Sequence, residues 1–154
     1  MQLPSCYLFQ NLSAAQIDSL AAITFEEQFQ KGKWLFYKDQ KADKIYLVKK
    51  GTVELLIKVE DTIEIPIALI RPDNGCVGIG ALIEPFRYTL SARCAADSTL
   101  LAIKREDLND LMCKDHELGC TMMKNLAQKL LARLTETRKV LKSHFLNLVR
   151  SAAF

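Results

Sequence analysis

A chain of 154 residues with 49% hydrophobic and 25% charged side chains is long enough to bury a real core and ordinary in composition, which excludes disordered and fibrous classes. Its formal net charge of +3 is too small to imply nucleic acid on its own. No run of about 18 uncharged apolar residues and no basic-then-apolar leader occurs, so neither a membrane span nor a signal peptide is expected, and the expected location is cytoplasmic.

In chain order, residues 9–23 place Phe9, Leu12, Ile17, Leu20 and Ala21 at helical spacing, with Ser13 positioned to cap a helix from Ala14. Phe25 to Phe29 and Trp34 to Phe36 are short aromatic-rich strands separated by a Lys31-Gly32-Lys33 turn. The buried-strand run Ile45-Tyr46-Leu47-Val48, closed by Lys49-Lys50-Gly51, and the strand Thr52 to Val59 read as a hairpin-like pair. Ile63, Ile65, Ile67 and Leu69 then keep period two, which commits one face of that strand to the core, while Pro66 argues for an edge position. Further strands are expected at Tyr88 to Ala95 and Thr99 to Ile103, seven or eight in all. Such short, closely spaced strands imply a roll or barrel of antiparallel strands, and a β-roll over residues 25–103 is expected.

Between those strands lies Gly75 to Arg93, the best candidate for a ligand site. Glycines at 75, 78 and 80 lead into Ala81-Leu82, and backbone N–H groups at such a turn can form an anion cradle; the plainer reading is a bend at a sheet corner.

After Lys104 the pattern becomes helical: a short segment over Glu106 to Lys114, an interruption near Asp115 to Gly119, and a long helix from about Cys120 to Arg150. Within it Ala127, Leu134, Leu141 and Leu148 interleave with Met123, Leu130, Thr137 and His144 in a heptad seam, so a homodimer through this helix is expected. Lys124 to Arg150 carries seven basic residues and one acid, a stripe suited to an acidic partner or to plain solvation. The five cysteines include no CxxC pair, and with two histidines they supply no zinc-ligand spacing; reduced thiols are expected, and no metal or cofactor is required. No nucleophile, base and orienter assemble, nor a pair of carboxylates on one element, so an enzyme is not expected.

The order of these elements, with Lys31-Gly32, the Asp39 turn, Ile45 to Val48 followed by Gly51, and Val53 to Leu55, resembles the cyclic nucleotide-binding domain of the cAMP receptor protein (Crp/Fnr-like) family. The resemblance covers about Leu8 to Leu148 and implies a mainly β fold with flanking helices: a jelly-roll-like β-roll (double-stranded β-helix), an N-terminal helix and a long C-terminal dimerisation helix, in one domain over 1–154. It also implies cAMP or another cyclic nucleotide as the ligand class. Gly78, Ile79, Gly80, Ala81 and Leu82 match the binding cassette, Arg87, Tyr88 and Thr89 match its return, and Thr137 stands in the register of a purine-contacting threonine.

At Ile79 the family has a glutamate that accepts from the ribose hydroxyl, and the segment between Ala81 and Thr89 is shorter than the family pattern. A ribose hydroxyl buried without a partner forfeits about 1 to 3 kcal/mol, so nucleotide binding is expected to be weak or altered. A cradle that keeps its backbone groups and Arg87 would still take a small anion. The family's transcription factors continue into a helix-turn-helix domain, whereas this chain stops at Phe154, so no direct DNA binding is expected of it. Two readings stay open: a stand-alone sensor domain with altered ligand binding, and a ligand-free dimerisation or interaction module of the same fold.

Overall fold

The protein was analysed as a computed structural model that describes residues 1–73 and 75–153. Among these, eight strands form two four-stranded antiparallel sheets. In chain order the strands are β1 (Thr24–Phe29), β2 (Trp34–Phe36), β3 (Lys44–Lys50), β4 (Val53–Glu60), β5 (Ile63–Ile70), β6 (Cys76–Val77), β7 (Ser91–Cys94) and β8 (Ser98–Lys104). One sheet has the order β1-β8-β3-β6 and the other β2-β7-β4-β5. The expected β-roll is therefore present, with a helix before it and two after.

The central strands of the first sheet, β3 and β8, are covered on both faces, and their sequence shows why. Ile45 to Val48 in β3 and Leu100 to Ile103 in β8 are buried without interruption, as unbroken apolar runs require. Those strands meet in register, Ile45 opposite Ile103 and Leu47 opposite Leu101.

β3 and β4 do not form a hairpin, contrary to the sequence expectation: β3 pairs with β6 and β8, β4 with β5 and β7. Gly51 redirects the chain from one sheet to the other at φ 91°, a left-handed conformation, and a Cβ there would run into Ser98. The run Tyr88 to Ala95 also differs, because only Ser91–Cys94 is strand, while Tyr88 pairs its backbone with the 39–40 turn (Tyr88 N to Gln40 O, 3.0 Å; Asp39 N to Tyr88 O, 2.8 Å).

β5 lies at a sheet edge, as Pro66 implied, but its alternating face is not in the core. Ile63, Ile65, Ile67 and Leu69 are each about half exposed, at 46, 45, 53 and 51%. The four-residue β7 backs β4 only over Val53 to Leu56, so Ile63 and Ile65, opposite Glu60 and Ile57, lie on a hairpin end that projects past the roll.

The first helix, α1 (Ala14–Ala22), starts where Ser13 predicts and closes a capping box, Ser13 Oγ accepting from Gln16 N while Gln16 Oε1 accepts from Ser13 N. Two helices follow the roll, α2 (Arg105–Lys114) and α3 (His116–Ala152). The expected break over 115–119 shrinks to Asp115 alone, whose carboxylate accepts from Leu118 N at 3.0 Å and caps the new helix at once. Gly119 is absorbed into α3, where Met112 of α2 packs close against it.

With 37 residues α3 is about 55 Å long. Its first turns bury Leu118, Met122, Asn125 and Leu126 against the core, and the buried Asn125 Nδ2 donates to Leu8 O (2.9 Å) and Gln10 O (2.8 Å), tying α3 to the 3-10 turn Tyr7–Phe9. From Leu130 onward every described residue is exposed. Among the described residues no helix is long and apolar enough to cross a membrane.

Candidate functional site

β6 ends at Val77, and Gly78 turns the chain in the left-handed region at φ 87°, where an added Cβ would lie 2.9 Å from Lys44 O. A single 3-10 turn, Ile79–Leu82, follows, with Ala81 N donating to Gly78 O at 3.0 Å. Gly80 sits so close to the Arg87 carbonyl that no side chain fits between them. The glycines thus make a tight turn at the end of β6, backed by the 83–88 loop.

A cavity of about 50 Å3 opens in front of it, lined by Phe36, Leu55, Cys76, Val77, Gly78, Ile79, Gly80, Tyr88, Thr89, Leu90 and Arg133. Of the residues expected at the site, Gly78, Ile79, Gly80, Tyr88 and Thr89 meet here. Ala81 is buried behind the turn and Leu82 packs against the core.

Arg87 and Thr137 are not among the lining residues. The Arg87 side chain is exposed and donates from Nη1 to Asp39 O at 2.7 Å, while its backbone bridges Lys41. The shortened return brings Tyr88 round to the cavity and turns Arg87 outward. Thr137 Oγ1 is occupied within its own helix, donating to Arg133 O at 2.8 Å.

Tyr88 is held at both its ring and its hydroxyl. Its ring stacks on Phe36 (centroids 3.7 Å apart, planes 10° from parallel), and its hydroxyl donates to Lys44 O at 2.8 Å. Burial pushes that hydroxyl up to about 12, so it stays neutral at ordinary pH. The charge at the cavity comes instead from Arg133, on the first exposed turns of α3. Arg133 was not singled out from the sequence; its place four residues before the seam residue Thr137, one helical turn away, was the available signal.

The cyclic nucleotide-binding domain family matches residues 26–115, more than half of the chain. The chain belongs to that family. This cyclic nucleotide-binding-like domain is 29% identical over 107 residues to the Global nitrogen regulator of Synechococcus elongatus, a match that covers 68% of the chain and 48% of the relative. The chain thus spans about half the length of that curated relative. Among solved structures it is similar to the Thermus thermophilus Catabolite Activator Protein (TM-score 0.75, 28% identity, 88% of this chain and 62% of that one). It is also similar to a proposed cyclic nucleotide-binding protein from Geobacter metallireducens (TM-score 0.70, 30% identity, 82% of this chain and 91% of that one). The expected β-roll and the expected family are both shown by these likenesses. Within that fold, Ile79 lines the cavity beside Gly78, and Tyr88, stacked on Phe36, lines it from the other side.

Proposed function

We propose that this chain is a regulatory sensor domain whose cassette takes a small anion in place of a cyclic nucleotide, and whose α3 reads the occupant in a homodimer. The observation that carries this reading is Arg133: a guanidinium on α3 lines the same cavity as Gly78 to Gly80, so an anion held there is bonded to the helix as well as to the roll. The volume supports it, because a drug-sized ligand needs a site of roughly 300 Å3 or more and this cavity has about 50 Å3. The heptad seam supports the homodimer, with Leu134, Leu141 and Leu148 exposed at 45, 53 and 65% along a helix that outruns the roll. The likeness to regulators supports the sensor role. No catalytic step is part of this reading.

Titration calorimetry with cAMP, cGMP, orthophosphate and short dicarboxylates tests it. A small anion should bind, the cyclic nucleotides should bind more weakly, and Arg133→Ala should cut the anion affinity by about tenfold to a hundredfold, the loss of one charged hydrogen bond. Arg87→Ala should leave the titration unchanged. Submicromolar cAMP binding that survives Arg133→Ala would overturn the reading. A second reading, an interaction module without a ligand, is favoured by the Tyr88–Phe36 stack that fills the return side of the cavity. It predicts no heat with any anion from a chain that still dimerises.

A further inference from the structure

From Leu130 to Ala152 every residue of α3 is exposed, and the seam along it is apolar at Leu130, Leu134, Leu141 and Leu148. Two polar residues interrupt that seam, Thr137 and His144. Thr137 is satisfied within its own helix, Oγ1 donating to Arg133 O at 2.8 Å, so it asks nothing of a facing helix. His144 is different in kind. A neutral imidazole carries one N–H donor and one acceptor nitrogen, so two of them face to face close a single N–H···N bond. Two copies of α3 that run parallel and in register set His144 opposite itself, between the layers of Leu141 and Leu148.

Nothing around that position supplies a counter-charge. One turn away on its own helix stand Val140, Leu141, Asn147 and Leu148, none of them charged. Across a parallel seam the second copy presents its own Leu141, His144, Phe145 and Leu148, uncharged apart from the imidazole. The flanking charges on α3 are Arg138, Lys139, Lys142 and Arg150, all positive. The last acidic side chain in the sequence, Glu136, lies eight residues and about 12 Å up the helix, where it pairs with Lys139 at 3.8 Å.

We propose that His144 is an acid-sensitive pin of the α3 homodimer, holding two copies in register while neutral and releasing them when both rings are protonated. This regulation rests on the homodimer reading and gives it a condition. One proton is tolerated, because a protonated ring still donates to a neutral one. The second proton removes the acceptor and sets two positive charges face to face in an apolar layer. An ordinary imidazole takes up its proton near pH 6.5, so below that value separated chains bind more protons than the seam does. The contribution of this pair to the dimer is therefore complete above about pH 7 and is lost as pH falls towards 5. Arg133, which lines the cassette cavity, lies on the same helix, so acid separates the two cassettes that the seam joins.

Sedimentation equilibrium of the full chain at pH 8, 6.5 and 5 tests this. The dissociation constant of the dimer should rise by about tenfold between pH 8 and pH 5. His144→Leu should make a dimer as tight at pH 5 as at pH 8, and His144→Lys, which is charged throughout, should weaken the dimer already at pH 8. His116→Gln, at the other histidine, should leave the acid response unchanged. His144 is exposed in the single chain, so these changes leave the roll intact. A dimer equally tight at pH 5 and pH 8, or an acid response that persists in His144→Leu, would overturn the proposal and leave the homodimer standing. A chain already monomeric at pH 8 would overturn both.

Discussion

Tyr88 and Arg87 are neighbours with opposite fates, and the difference decides what the cassette can hold. The tyrosine is 4% exposed, stacked and hydrogen-bonded, whereas the arginine is spent on a carbonyl at the surface. Burial holds the Tyr88 hydroxyl at about 12, above the ordinary value of about 10, so as pH rises past 10 the unfolded chain gives up its proton first. Stability from this group is complete below pH 10 and is lost as pH climbs towards 12. Urea unfolding at pH 9, 10 and 11 should show that decline, and Tyr88→Phe should flatten it in part, Tyr7 and Tyr46 being raised by burial in the same direction. An unchanged slope would mean that the hydroxyl is solvated. The glycines and Ile79 were legible in the sequence because backbone need and side-chain chemistry are local. Which of two adjacent residues faces a cavity depends on the path of a shortened loop, and no periodicity reports that path.

At the scale of elements, the roll and its flanking helices could be read from period and capping, while the partners of each element could not. Ser13 announces α1, and the unbroken apolar runs announce β3 and β8, because each signal lies within the element itself. The alternation in β5 misled for a physical reason: period two says that one face is apolar, not that anything covers it. β3 and β4 looked like a hairpin because Gly51 joins them closely, although that glycine sends them into different sheets. The docking of α3 on the N-terminal turn was likewise unreadable, since Asn125 and its carbonyl partners are far apart in sequence. Asn125→Ala should leave the buried Leu8 carbonyl and the partly buried Gln10 carbonyl short of a donor, at about 1 to 3 kcal/mol. Hydrogen exchange should then speed up at Tyr7 to Phe9 and over the first turns of α3, and leave β3 and β8 unchanged. Faster exchange throughout the roll would show instead that the turn is part of one cooperative unit.

For the molecule as a whole, the exposed half of α3 is the feature that most needs a partner. If the homodimer forms along it, light scattering at micromolar concentration should report twice the 17.4 kDa chain, and Leu134→Glu with Leu141→Glu should return the single mass. A single mass for the unmodified chain would leave α3 for another protein. The projecting β4–β5 hairpin poses a different problem, one of colloidal survival. An edge strand with an apolar face invites strand addition from neighbouring molecules and growth into fibres. Here the strand interrupts its own template: Pro66 contributes no backbone donor, and register shifts at Leu55/Leu56 and Lys58/Glu60 bend the ladder on either side of the Ile57–Ile65 pair. The side chains of β5 remain open to contact, but its backbone is a poor mould for copying. Strand addition by a second copy would therefore have to cross a missing donor and two bends within eight residues.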